Sequence, residues 1–416
     1  MAIFTLIFIL FLSIGTFAQL WLKARHIIYI QDHQQVVPDA FIDKISLIEH
    51  QKAASYTIAK VRFGQIMLLT EMVLLLFWTL GGGLNFIDQY WRVLAWSNLW
   101  TGVAVIMSVM LISSFIDLPS NIYNTFYLEE RFGFNKMTPG LFISDLFKSI
   151  LLTFLIGIPL IFIVLWLMES MGQYWWIDVW AVWMGFSLLT IWAYPAFIAP
   201  LFNKFSPLEN QELKQRIEAL LQRNGFTSQG IFIMDGSKRS GHGNAYFTGF
   251  GNNKRIVFFD TLLAGLTVDE IEAVLAHEVG HFKHKHIVKR MIWMALLTFA
   301  SLALLGWLMQ QSWFYSGLGV RSHSTYMALL LFTLCLPVFT FFLQPIMAWA
   351  SRRHEFEADD FAAQQANPQH LIHALVKLYK ENANTLTPEP LHSSFYDSHP
   401  PAPVRIAHLS AKLATN

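Results

Sequence analysis

Along this chain apolar residues gather in long unbroken runs instead of narrow stripes. A helix that crosses the hydrocarbon core of a bilayer needs roughly 20 mostly apolar residues. Seven runs meet that length, at about 2–22, 64–87, 94–116, 149–168, 177–199, 291–310 and 325–349, so the pattern predicts seven membrane-spanning helices. The first run has no basic residue ahead of it, while Lys23 and Arg25 follow it; that order suits a retained anchor with its N-terminus outside rather than a cleaved signal peptide. Two polar segments, 200–290 and 350–416, are separated by the sixth and seventh runs, a hairpin that returns the chain to the side it left. In the first of them, apolar positions recur at helical spacing over 210–223, short strands are expected at 231–234 and 256–259, and one long helix is expected over 269–286. The glycine-rich stretch 241–251, followed by Asn252 and Asn253, reads as a turn or as a strand with close backbone approach.

Composition agrees with the runs. The chain has 416 residues, of which 54% are hydrophobic and 14% charged, and its mean hydropathy of +0.42 lies outside the range of soluble globular proteins. A formal net charge of +1 offers no basic field for nucleic acid, which is not expected as a partner. The lipid bilayer is the expected surrounding. Cys335 is the sole cysteine and lies inside an apolar run, so neither an intrachain disulfide nor a thiolate metal cluster is expected.

Lysines and arginines number six in 23–63, one in 88–93, three in 117–148, none in 169–176, twelve in 200–290, one in 311–324 and six after 350. Alternate segments are therefore basic, and the short loops alone place the basic side in the cytoplasm. The expected division is 1–199 for the first five spans with cytoplasmic loops 23–63 and 117–148, 200–290 for the first part of a cytoplasmic domain, 291–349 for the last two spans, and 350–416 for the rest of that domain. Trp91, Trp96, Trp100, Trp175, Trp176 and Trp313 fall near span ends, where amphipathic rings favour the interface.

The strongest chemical signal is His277-Glu278-Val279-Gly280-His281. Residues four apart share one helix face, so His277 and His281 can direct imidazole nitrogens to one ion while Glu278, offset from them, reaches a water there. This is the gluzincin arrangement for one Zn2+ per chain, with Glu278 as general base and then proton donor to the leaving amine. An accidental match on an amphipathic helix is the competing explanation. The longer metzincin pattern fails, because His284 stands at its glycine position and Ile287 at its third histidine. A third ligand is expected instead from the acidic cluster 352–360, which the hairpin returns to the same face: Glu355 as ligand, and Asp359, one turn on, as acceptor for the other ring N–H of a ligating histidine. A solvated helix face would explain the same cluster. Glu357 and Asp360 point elsewhere. His284 and His286, among the basic residues ending the histidine helix, read as structural, with a second metal site as the alternative.

Several further pieces carry a resemblance. These are Asp117-Leu118-Pro119 with 129–136, the stretch 194–204, the stretch 242–249, His277 to His281, and Glu355 to Asp359. Together they resemble the type 1 CAAX prenyl protease family of seven-span zinc metallopeptidases over nearly the whole chain. The resemblance implies a mostly α membrane protein in which seven transmembrane helices enclose a water-filled chamber, capped by a cytoplasmic α+β zincin-like metalloprotease domain. It also implies that Asn244, Ala245 and Tyr246 lie on an edge strand that pairs with an extended substrate, a mode that holds a peptide without reading much of its sequence; an ordinary turn is the alternative. Gly243 departs from the serine usual there. His399-Pro400-Pro401 and Arg405 resemble a segment thought to lie over the metal, so His399 or Arg405 is expected to stabilise the oxyanion, the alternative for Arg405 being a structural pair with Asp359. Glu71, a carboxylate within a span, is expected to be hydrated on the chamber wall.

The expected function is zinc-dependent endoproteolysis of membrane-associated or CAAX-type, possibly prenylated, proteins. Alternatives are a membrane-protein quality-control role like that of the stress-protease branch and, in another class, a seven-span receptor or transporter that binds metal incidentally. Compact length and a C-terminus without a retrieval signal point to a bacterial inner membrane, or to the endoplasmic reticulum in a eukaryote.

Overall fold

The structure, a computed structural model, describes residues 3–248 and 253–413. Positions 249–252 of the glycine-rich stretch lie outside the described residues. Seven helices are long and apolar enough to cross a membrane: α1 (Ile3–His33), α2 (Leu47–Trp78), α3 (Asn98–Phe132), α4 (Pro139–Ser170), α5 (Gly172–Phe202), α8 (His286–Leu308) and α9 (Thr325–Gln365). Between α5 and α8 lie α6 (Gln211–Arg223) and α7 (Val268–Lys283), and after α9 come α10 (Pro368–Glu381), α11 (Pro390–Tyr396) and α12 (Ala402–Leu413).

Several helices outrun their apolar stretch because local signals, not hydropathy, set their ends. α2 begins at a capping box in which Ser46 and Glu49 satisfy each other's backbone N–H, so it enters the bilayer from a polar stem. It stops at Trp78, short of the expected end at 87, because Gly81-Gly82-Gly83 follows and Gly82 adopts φ +82°. Residues 83–92 then form a separate short helix. α9 runs on from the last apolar stretch through the acidic cluster, so span and carboxylates share one rod.

The expected helix over 269–286 is broken. α7 starts at a capping box between Thr267 and Glu270 and ends at His284, because Lys285 takes the left-handed conformation at φ +56°. His286 therefore opens α8 rather than closing α7.

Strands β1 (Phe205–Pro207), β2 (Thr227–Met234), β3 (Ala245–Thr248) and β4 (Asn253–Phe259) form one sheet in the order β1-β2-β4-β3, with β2 parallel to β4 and the outer pairs antiparallel. β1 is too short to be seen in the hydropathy pattern. Ile231, Ile256 and Phe258 pack with Ile217 and Leu220 of α6, Leu275 and Val279 of α7, and Leu375 of α10 into the core of the polar half. Phe41 and Ile45, from the segment between α1 and α2, close the same core. A second core among the spans gathers Trp78, Leu165, Tyr315, Tyr326 and Leu331, while Phe17, Phe115, Phe147 and Trp293 stay exposed. Inside the ring of spans lies a cavity of about 740 Å3 whose wall includes Phe11, Glu71, Trp78, Ser113 and Gln344.

α7 lies directly on α9. A Cβ placed on Gly280 would stand 3.1 Å from Ala358 Cα and 3.2 Å from its carbonyl oxygen, backbone that cannot swing aside. Gly280→Leu is therefore expected to cost about 1–3 kcal/mol through overpacking and to lower the unfolding temperature of the detergent-purified protein, with Gly280→Ala milder. An unchanged unfolding temperature in Gly280→Leu would show that the two helices are not in close contact.

Candidate metal centre

The inward face of α7 is set by Ile271, Leu275, Ala276 and Val279, all buried in the core. That register turns His277 and His281 together toward α9. Their Nε2 atoms are 3.2 Å apart. Glu355, buried on α9, meets both: Oε2 lies 3.3 Å from His277 Nε2 and Oε1 3.4 Å from His281 Nε2. Glu278 points to a more open side and has no hydrogen bond or ion pair among the described residues, so its carboxylate is free to engage water.

Behind the histidines stands a closed polar network. Asp359 is fully buried and its Oδ1 lies 2.8 Å from His277 Nδ1. Arg405, also buried, binds Asp359 through both Nε (2.9 Å) and Nη2 (2.6 Å), a two-point contact suited to the planar guanidinium. Burial and the Arg405 charge disfavour the imidazolium form of His277, yet Asp359 and Glu355 outweigh them and its pKa is raised. On the other side, His281 Nδ1 lies 2.9 Å from His286 Nδ1.

Two observations test whether this group fits a metal ion. Glu355 Oε2 is buried and makes no hydrogen bond, an arrangement that is costly unless a cation completes it. Donors held about 2.0–2.1 Å from a tetrahedral ion stand roughly 3.3–3.4 Å apart; the two imidazole Nε2 atoms stand 3.2 Å apart, and one donor atom from each of His277, His281 and Glu355 lies within 4.8 Å of the other two. Two imidazoles and one carboxylate are a donor set that divalent zinc accepts. His284 and His286 join no comparable group of three donors among the described residues.

β3 is an outer strand, bonded to β4 on one side only. Its Phe247 ring packs on Phe282, the neighbour of His281, at 5.7 Å between centroids, which ties the strand to the histidine helix. The approach to it is pinned by side chains that the sequence did not single out for a role. Asn382 Oδ1 accepts from Gly243 N at 3.0 Å, and His242 stacks on Phe134 at 4.2 Å. Glu129 accepts from Tyr56 Oη at 2.7 Å and faces His242 Nε2 at 3.4 Å. Glu129 and His242 lie in stretches that carry the family resemblance, whereas Tyr56 and Asn382 have no local signal. A Cβ at Gly243 would make only ordinary contact with Leu262, so a serine would fit there.

The structure thus brings His277, His281, Glu355 and Asp359 together, with Glu278 beside them. Arg405 lies behind His277, locked to Asp359, which is the structural pairing weighed from the sequence. His399 lies on the exposed side with Nε2 3.3 Å from Glu355 Oε1. Ala245 and Tyr246 enter the outer strand, Ala245 pairing with Phe258 and Tyr246 with Val257, while Asn244 immediately precedes it, its carbonyl accepting from Phe259 N at 2.9 Å. Glu71 lines the cavity between the spans.

Residues 26–204 match the family model described as CAAX prenyl protease N-terminal, five membrane helices, and residues 207–413 match that of peptidase family M48. CAAX prenyl protease 1 of Saccharomyces cerevisiae is 39% identical over 72% of this chain and 69% of its own length. A Caenorhabditis elegans homologue of the same enzyme is 32% identical over 91% of each. The crystal structure of S. mikatae Ste24p superposes with a TM-score of 0.90 at 33% identity, covering 98% of this chain and 99% of the other.

Removing Arg405 leaves a buried carboxylate with only an imidazole to face. Arg405→Met is expected to destabilise the metal-free protein by about 3–5 kcal/mol, with Arg405→Lys in between because an ammonium cannot repeat the two-point contact. Thermal unfolding after chelation checks this, and equal stability of Arg405→Met and wild type would contradict it.

Proposed function

This chain belongs to the CAAX prenyl protease 1 family of M48 metallopeptidases, and from that premise we propose that it is a zinc endopeptidase acting on CAAX-type, lipidated protein tails at the cytoplasmic face of its membrane. The multi-pass architecture and the metallopeptidase class follow from the family. The choice of zinc, the residue roles, the lipidated substrate and the orientation are our reading.

The observation that carries it is the convergence of His277, His281 and Glu355, with one donor atom of each within 4.8 Å of the others and a buried carboxylate oxygen that makes no hydrogen bond. These three side chains hold the ion. When bound, zinc supplies a Lewis acid that polarises the scissile carbonyl and makes water acidic near neutral pH. Glu278 takes the proton from the attacking water and passes it to the departing amine. Asp359 holds His277 in the tautomer whose Nε2 lone pair faces the ion, and Arg405 keeps Asp359 ionised and fixed. His399, on the open side, donates to the oxyanion that forms as the carbonyl is attacked.

Substrate backbone adds to the free edge of β3 at Asn244, Ala245 and Tyr246. Strand addition explains how a tail is held extended with little demand on its side chains. The cavity of about 740 Å3, whose wall includes Phe11, Leu75, Trp78 and Val338, gives a lipid chain attached to such a tail apolar side chains to pack against. The cytoplasmic orientation rests on the basic segments, which alternate with segments nearly free of Lys and Arg.

Purified protein is expected to hold one zinc and to cleave a prenylated CAAX peptide faster than its unprenylated twin. Glu278→Gln is expected to retain the zinc and lose roughly 10^2–10^4 in turnover, while Glu355→Gln loses the metal. Full cleavage by Glu278→Gln, or undiminished zinc in Glu355→Gln, would remove the respective assignment.

A further inference from the structure

The two ligand histidines are supported unequally. His277 meets a carboxylate directly, through Asp359. His281 meets another imidazole, that of His286, through Nδ1 to Nδ1 at 2.9 Å, and His286 Nε2 in turn lies 2.9 Å from Glu357 Oε2. We propose that His286 and Glu357 are positioning residues that fix the ring angle and tautomer of His281 and thereby set how tightly the ion is held. The proposal rests on the reading of His277, His281 and Glu355 as the metal ligands.

The proton assignment is self-consistent along the whole line. Two imidazoles meeting through nitrogens need one N–H and one lone pair. If His281 gives its Nε2 lone pair to the ion, its Nδ1 carries the hydrogen and donates. His286 Nδ1 must then accept, which leaves the hydrogen of His286 on Nε2, where Glu357 accepts it. A carboxylate at the end of such a line makes each imidazole a better donor of electron density to the next group.

Backbone shape makes the contact available. On an unbroken helix, residues five apart are turned roughly 140° from each other and their side chains do not meet. The left-handed Lys285 ends α7 and lets α8 restart with His286 folded back against His281. The ring is then clamped. His286 is 5% exposed, stacks on His354 at 4.1 Å and 11°, and faces His284 at 5.6 Å and 15°. Glu357 is held from its other oxygen by Arg353 Nε at 3.4 Å. Glu357 thus reaches the centre without being a ligand, two residues beyond Glu355 on the same rod.

The test is competition between the purified, chelator-stripped full-length protein and a chromophoric chelator for Zn2+, repeated with Co2+ to record its visible bands. His286→Phe, which keeps the ring and removes the hydrogen bonds, is expected to weaken metal binding about 10–100-fold and to shift the cobalt bands. Glu357→Leu should weaken it as well, whereas Glu357→Gln, which still accepts from Nε2, should restore near-wild-type affinity. His354→Phe, which preserves the stack alone, should bind as wild type does. Wild-type affinity in His286→Phe with unchanged metal-free unfolding overturns the relay; so does equal loss in His354→Phe, which would assign the effect to packing. If His286→Phe does not fold, Glu357→Leu decides, since Glu357 is partly exposed and outside the core; wild-type affinity there overturns the relay too. Glu355→Gln in the same titration separates the two readings: retained affinity there means the ligand set itself is wrong, while loss there with none in the relay variants means only the relay is wrong.

Discussion

The closeness of α7 and α9 is the constraint on which the rest of the centre depends. Where Gly280 faces Ala358 no side chain intervenes, so two histidines from one helix and a carboxylate from the other stand within ion-binding distance. A gap wider by one methyl group would carry Glu355 away from the imidazoles and leave its buried carboxylate facing only Arg405, whose Nη1 lies 3.8 Å from Oε2. The apolar core supplied by Leu275, Val279 and Leu375 holds the helices in register, and hydrophobic burial of this kind is non-directional. Direction comes from the buried polar groups, which are satisfied only in one arrangement.

That arrangement has two sides. Asp359 and Arg405 form an ion pair sealed from water, a device that adds little net stability over an apolar pair but makes any misplacement expensive. The other side is built from rings stacked on rings, with His354, His286 and His284 in sequence. One flank is therefore rigid through charge, the other through shape. The open face between them carries Glu278, which has no hydrogen bond or ion pair among the described residues, and His399, which meets Glu355 at 3.3 Å.

Much of this was legible in the sequence because it rests on short-range periodicity. Seven apolar runs became seven helices, and the spacing of His277 and His281 fixed their shared face once α7 was a helix. The third donor, Glu355, was reached by topology, since a hairpin of two spans returns the chain to the side it left. What stayed hidden depends on backbone events without a sequence signature. Lys285 is not a residue type that announces a left-handed break, so His286 read as the tail of α7 and Glu357 as a bystander. Tyr56 and Asn382 likewise lie far in sequence from the strand whose approach they pin, and only tertiary packing joins them to it. Arg405 was seen as one of two things, and only its burial beside Asp359 separates them.

α9 carries a last consequence. One continuous rod begins among lipid tails and ends inside the water-facing half with Glu355 and Asp359 on it, while α7 precedes the hairpin to which that rod belongs. A fragment that stops before α9 lacks both carboxylates, because the second limb of the hairpin must return to the side the chain left before Glu355 can meet the histidines. The nascent polypeptide consequently lacks both carboxylates until its final pair of helices has been made.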